Sequence, residues 1–249
     1  IFLYILLKHQ FLTPYLCVKY LIFGGIDGSY GKCEKDKWIT TFDVLQYQNH
    51  ITKFISEPDQ GIYHAMNKGI NLADGDVIGF LNSDDFYAHD QVLSKVCEMF
   101  KSNPELDACY SDLIYVDKLT ASKTIRYFKS SKFIPGSFSK GWCPPHPTFF
   151  VRSSIFKKYG NFDISFNIAS DVDLMMRFLE VHNIKSLYIP EIWVKMRMGG
   201  TTNKNLANII FQNREILRSL KKNGLPINKV NFFINKIISR SKQFFKSDK

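Results

Sequence analysis

DGDVIGFLNSDD, residues 74–85, is an apolar run closed by a polar, acidic turn. Val77 to Leu81 lacks the polar alternation of a half-exposed strand, so it predicts a strand buried on both faces. Asn82, Ser83, Asp84 and Asp85 then fall at the strand's carboxyl end, where open α/β sheets collect ligands. Two adjacent carboxylates there repel each other and resist burial unless a cation or hydrogen-bond donors compensate. Hard cations choose oxygen ligands, and a ligand with two linked phosphates needs a divalent one to neutralise its charge. One carboxylate can hold that metal while its neighbour turns toward a ribose. The other reading of the same residues is a turn carrying two solvated Asp side chains.

Outward from this stretch, further apolar runs end at turn residues: Tyr20 to Phe23 before Gly24-Gly25, and Leu187 to Ile189 before Pro190. Between them lie helical patterns. Ile62, Ala65, Met66 and Ile70 share one face of Ile62 to Leu72, and Gln91 to Phe100 and Asp171 to Val181 repeat the helical spacing. Strands alternating with such helices predict an α/β domain with a mainly parallel sheet. From Asn205 onward the pattern is helical only. The expected division is a domain over 1–203 and a basic, amphipathic helical extension over 204–249.

Two more segments carry candidate chemistry. In ISEPDQGIYHAMNKGI, Ile55 to Ile70, a turn at Ser56, Pro58 and Asp59 leads into a helix. Opposite its apolar face lie His64, Asn67, Lys68 and Asn71, and a helix amino terminus with a nearby Lys can meet phosphate. A solvated polar stripe explains the same spacing. In NIASDVDLMMRFLE, Asn167 to Glu180, Ser170 and Asp173 have the spacing of a capping box, which gives Asp173 a structural task. Asp171 sits in the first turn on a different bearing. It is placed either to take a proton as a general base or simply to complement the helix dipole.

The bulk numbers narrow the class. The 249 residues suffice for one sizeable domain with an appendage, and 45% hydrophobic with 22% charged residues is ordinary for a globular chain. Five cysteines, with no pair two residues apart as in a metal knuckle, fit a reduced, intracellular compartment. No apolar run approaches the roughly 18 residues of a membrane span. The apolar Ile1 to Leu7 is too short and lacks a signal peptide's basic leader, so a buried helix or strand is expected there. The net charge of +10 is uneven, because Asn203 to Lys249 holds eleven Lys and Arg against Glu215 and Asp248. A tail this basic is drawn to a negative surface, nucleic acid or anionic lipid. Val230, Phe233, Ile234, Ile237, Ile238, Phe244 and Phe245 recur near helical spacing between Lys229, Lys236, Arg240, Lys242 and Lys246. That favours the membrane interface over nucleic acid. A helix packed back on the domain is the alternative.

The strings SEPDQGIYHAMNKGI, GDVIGFLNSDD, CPPHPTFFVR (Cys143 to Arg152), SDVDLMMR and MRMGGTTN (Met196 to Asn203) together resemble family-2 glycosyltransferases of bacterial surface-polysaccharide synthesis. The similarity runs from about Lys19 to Asn203. It implies a GT-A fold and an inverting transfer of a hexosyl or N-acetylhexosaminyl group from a nucleotide-diphosphate sugar. The acceptor would be a saccharide or a lipid-linked molecule. It implies Mg2+ or Mn2+ at Asp85, nucleotide-sugar contacts at Asp27, Glu57, Asp59, Lys68 and Asp84, and Asp171 as the catalytic base. His146 falls in the acceptor-side segment, where a packed structural histidine is the other possibility. Gly199 and Gly200 match a loop over the donor. The implied location is cytoplasmic, with peripheral contact at the inner face of the plasma membrane.

The sequence also departs from that family. The strand and turn that usually precede a helix like Tyr4 to Phe11 are not present before Ile1, so an amino-terminally incomplete or decayed chain is expected. Phe23 takes a usual Asp position, His64 another, and Ser170 a usual Glu position. An inactive remnant is therefore a rival reading. A sugar-nucleotide pyrophosphorylase is a second, but its Gly-rich basic loop near the amino terminus is not seen.

Overall fold

A computed structural model describes residues 2–8, 18–25, 51–82, 84–199 and 206–244; the side chains of 2–8, 18–25, 51–57, 206 and 244 are not part of the description. Asp27 and Gly200 lie outside the described residues. The strands are β1 (Phe2–Lys8), β2 (Val18–Gly25), β3 (Ile51–Glu57), β4 (Val77–Asn82), β5 (Phe86–Tyr87), β6 (Ala108–Val116), β7 (Thr124–Phe128), β8 (Phe150–Arg152) and β9 (Ser186–Arg197). The helices are α1 (Ile62–Leu72), α2 (Val92–Ser102), α3 (Ser153–Tyr159), α4 (Ser170–Met176), α5 (Leu206–Lys222) and α6 (Lys229–Phe244). Among the described residues the nine strands form one sheet in the order β3-β1-β2-β4-β8-β6-β9-β5, with β7 paired to β6.

The α/β class holds, but the sheet is mixed where a mainly parallel one is expected. β2 runs parallel to β4 and β6 parallel to β9, whereas the other pairs are antiparallel. Parallel neighbours need long crossovers, while consecutive antiparallel strands can be joined by a short reversal. β7 folds back on β6 in this way, whereas the short β5 and β8 pair antiparallel with strands distant in sequence. Phe2–Lys8 is a strand with antiparallel neighbours on both edges, where the family pattern suggests a helix over Tyr4 to Phe11. Its unbroken apolar run suits either element, since it carries no period that separates them.

β4 is buried from Val77 through Leu81, as its composition dictates. Ile78 and Phe80 face a cluster containing residues of α1, α3, α4, α5 and α6, while Val77 and Leu81 face one built on α2. The sheet is thus covered on both sides at its centre. Gly79 is fixed by packing: a Cβ there would lie 2.4 Å from Phe150 Cε1. Gly79→Ala is therefore expected to cost about 1–3 kcal/mol of overpacking, read as a lower denaturation midpoint with unchanged slope.

β9 does not stop at Pro190. Ser111 faces Ile189 and Asp112 faces Ile192, so Pro190 and Glu191 bulge out of register and the strand resumes. The helix expected over Asp171 to Val181 is α4 followed by a π-helical turn over Arg177–Val181. No helix among the described residues is long and apolar enough to cross a membrane.

Candidate active site

The turn after β4 folds the acidic pair into a defined arrangement. Asp85 N donates to Asn82 O (3.0 Å) and Asn82 Nδ2 donates back to Asp85 Oδ2 (2.9 Å). The backbone N–H of Arg197, at the end of β9, donates to Asp85 Oδ1 (3.2 Å). Asp85 is 7% exposed. Burial, and then the neighbouring Asp84, push its carboxyl up to about 7 against the pull of Asn82 and Arg197. Burial raises Asp84 as well, opposed by its own backbone N–H and by Arg197 and Lys118. Asp85 is thus a buried side chain and Asp84 a half-buried one. Among the described residues no three His, Cys, Asp or Glu side chains gather as a metal cluster. Two carboxylates nevertheless fit a cation that takes its other ligands from phosphate and water, the ordinary way of holding Mg2+.

Asp171 lies in the first turn of α4, half-buried. Its Oδ1 accepts from Val172 N (2.8 Å) and from the hydroxyl of Tyr63 on α1 (3.3 Å). The one Tyr63 hydroxyl proton is shared with Ile168 O, the shorter contact (2.8 Å), tying α1 to the segment that leads into α4. The amino terminus of α4 has no side-chain cap of its own; Ala169 occupies the cap position. The expected capping box is therefore corrected: Ser170 Oγ donates to Asp163 O (2.8 Å) instead. Glu215 of α5 does the work from 46 to 48 residues away, accepting from the backbone N–H groups of Asn167, Ile168 and Ala169 (2.8, 2.8 and 3.0 Å). Orphan N–H groups at a helix start accept a carboxylate wherever the fold can deliver one.

Asp173 has a structural place of another kind. Fully buried, it accepts from Arg177 Nε (2.9 Å), Ser219 Oγ (2.6 Å) and Asn223 Nδ2 (3.2 Å), which pins α5 and the residues after it to α4. Asp171 and Asp173 thus point to different partners, as residues about 200° apart on a helix must.

His146 opens a short turn, His146–Thr148, that packs against β4, β6 and α4. Its ring stacks on Phe80 at 5.2 Å and meets Phe162 edge-on at 5.7 Å. Burial lowers its pKa, against the opposing pull of Asp171. Its Nε2 is buried and has no hydrogen-bond partner among the described residues. The turn therefore bridges the strand that ends in the acidic pair and the helix that starts with Asp171.

The remaining expected residues are less directly connected. The Asp59 carboxylate is buried and holds both His64 Nδ1 (2.7 Å) and Lys68 Nζ (3.0 Å). Glu57 ends β3 opposite Phe2, and only its backbone is described. Gly199 has a φ of 120°, a conformation open to glycine, and lies two residues beyond Arg197, the end of β9. Tyr63, Arg197 and Glu215 were not singled out by the sequence.

The family model described as Glycosyl transferase family 2 matches residues 39–160, a range that holds Asp59, Lys68, Asp84, Asp85 and His146 and ends before Asp171. An uncharacterized glycosyltransferase of Mycobacterium tuberculosis is 32% identical over 125 residues, 49% of this chain and 45% of that protein. A PGL/p-HBAD biosynthesis glycosyltransferase of Mycobacterium bovis is 26% identical over 148 residues, 59% of this chain and 55% of that protein. The chain spans about half the length of the curated relatives it matches. Crystal structures of S. aureus TarS resemble the fold. TarS 1-349 gives a TM-score of 0.50 at 15% identity, covering 87% of this chain and 64% of that one. Its complex with UDP-GlcNAc gives 0.50 at 15% identity over 76% of this chain and 55% of that one. The fold is of the GT-A type, and over residues 39–160 the chain is similar to family-2 glycosyltransferases.

Proposed function

We propose that the protein is an inverting glycosyltransferase that moves a hexosyl or N-acetylhexosaminyl group from a nucleotide-diphosphate sugar to a hydroxyl of a saccharide or lipid-linked acceptor. The observation that carries this reading is the buried Asp85 beside the half-buried Asp84 after β4, bridged by the His146 turn to the half-buried Asp171. Asp85 is the residue to hold Mg2+ or Mn2+, which when bound neutralises charge on the diphosphate. Asp84 faces the nucleotide, with Asp27, Glu57, Asp59 and Lys68 as further contacts. Asp171 takes the proton of the attacking hydroxyl as its oxygen bonds to the anomeric carbon and the bond to the diphosphate oxygen breaks. Tyr63 fixes the Asp171 carboxylate for that task. His146, whose buried Nε2 has no hydrogen-bond partner among the described residues, is the acceptor-side residue of this reading.

Calorimetry with a panel of nucleotide-diphosphate sugars, UDP-GlcNAc among them, tests the donor assignment. Saturable binding that needs Mn2+ is expected. Absence of binding by the folded protein across the panel would overturn the reading.

The outer face of α6 supports a location at the cytoplasmic side of the membrane. Val230, Phe233, Ile234, Ile237 and Ile238 are exposed there, beside Lys229 and Lys242. Each basic residue near an anionic leaflet adds about 1 kcal/mol. Ile234→Asp with Ile237→Asp is expected to abolish flotation with phosphatidylglycerol vesicles without lowering the melting temperature. Equal flotation of the variant sinks the assignment.

A further inference from the structure

One polar face of α5 turns inward. Glu215, Arg218, Ser219 and Lys222 follow at spacings of three and four, so they lie along one side of the helix. Arg218 Nη2 donates to Ser165 O (3.1 Å) and Ser165 Oγ (2.6 Å). Ser219 Oγ donates to Asp173 Oδ1 (2.6 Å), and Lys222 pairs with Asp163. The stripe thus grips the run from Asp163 to Asp173, with Asp171 inside it. α5 itself lies beyond the 39–160 segment that the family model matches.

Glu215 differs from the rest of the stripe in what it holds. It is 4% exposed, and both its oxygens are spent on main chain. Oε1 accepts from Asn167 N, and Oε2 accepts from Ile168 N and Ala169 N. The peptide that joins Ile168 to Ala169 is one rigid plane. Its N–H end is fixed on Glu215, and its carbonyl end, Ile168 O, receives the Tyr63 hydroxyl at 2.8 Å. That hydroxyl stands 3.3 Å from Asp171 Oδ1. The next carbonyl, Ala169 O, accepts from Asp173 N (2.9 Å) in the opening turn of α4. Ala169 sits at the cap position and has no side-chain oxygen to offer in place of Glu215.

We propose that Glu215 is a positioning residue for the general base. It acts through the Ile168–Ala169 peptide and Tyr63 to hold the Asp171 carboxylate in line for proton transfer, which makes α5 a working part of the active site. The proposal rests on Asp171 being the base. Glutamine cannot do the same task. Its amide has one accepting oxygen where two are in use, and its NH2 meets a backbone N–H whichever way it turns. A reacting group displaced by about 1 Å can lose on the order of 10²-fold in rate. The donor's diphosphate belongs to the Asp84–Asp85 end, so donor binding should not feel the change.

The test uses the full chain as parent, Glu215→Gln, Asp171→Asn, the double variant, and Ser219→Ala. Ser219→Ala breaks a buried contact of the same helix without touching residues 167–169. Turnover is measured with the sugar nucleotide that the parent binds most tightly in calorimetry. Glu215→Gln should slow it about tenfold or more, with donor affinity held within about twofold. Ser219→Ala should lower the melting temperature and keep turnover per folded molecule. The double variant should be no slower than Asp171→Asn alone, because one residue acts through the other. Amide exchange supplies a readout independent of turnover. The Val172 N–H, bonded to Asp171 Oδ1, should exchange faster relative to core amides in Glu215→Gln and not in Ser219→Ala. Unchanged Val172 exchange, fully additive losses in the double variant, or an equal loss of turnover in Ser219→Ala each overturn the proposal. Near-normal turnover of Asp171→Asn, or none from the parent, counts against the reading of Asp171 and of the enzyme, and the exchange result stands or falls without it.

Discussion

Asp171→Asn is expected to cut turnover by about 10²- to 10⁴-fold, the usual loss when a general base is removed. Donor affinity and melting temperature should stay near the parent values. The half-buried carboxylate of Asp171 is met by Tyr63 and its own helix's backbone, which an amide oxygen can still accept from. Asp173→Asn, two residues on, should do the reverse. Its carboxylate is wholly buried and paired with Arg177. Removing one partner of such a pair costs about 3–5 kcal/mol, well beyond the loss of a helix cap. Turnover per folded molecule should hold. Kinetics and thermal melts on the two variants together check the assignment. Near-normal turnover of the Asp171 variant would refute it and make Asp173 the first candidate to replace it.

Asp85→Asn has the second large effect. An outer-shell partner of a metal costs about 10- to 100-fold in affinity when lost, and a direct ligand should cost more. The dependence of donor binding on Mn2+ should therefore disappear from calorimetric titrations. The fold should not suffer, because the substitution removes a buried charge beside Asp84 while keeping a group that accepts from Arg197 N. Undiminished metal dependence in the variant would show that Asp85 does not hold the cation.

The acidic pair was legible in the sequence because its signal is local: an unbroken apolar run, then two carboxylates at its end. α1 and α2 were legible for a similar reason, their apolar spacing being set within one helix. β6 was not, although all nine of its residues are buried. Asp112 interrupts its run and looks like a turn. The structure satisfies that carboxylate with Tyr127, Ser130 and Tyr188, partners that lie 15, 18 and 76 residues away. Glu215 was hidden in the same way, reading as a lone acid in a basic tail while it organises the start of α4. The capping box failed because Ser170 and Asp173 have the right spacing but found better partners across the fold.

The most direct test follows release of nucleoside diphosphate from a panel of nucleotide sugars, with Mn2+ or with EDTA, in the presence of a lipid-linked or saccharide acceptor. The protein should release diphosphate from at least one sugar nucleotide only when metal is present, and the Asp171→Asn protein should do so about 10²-fold more slowly or less. Release that is equally fast in EDTA, or that survives unchanged in the Asp171→Asn protein, would contradict the assignment of this cleft.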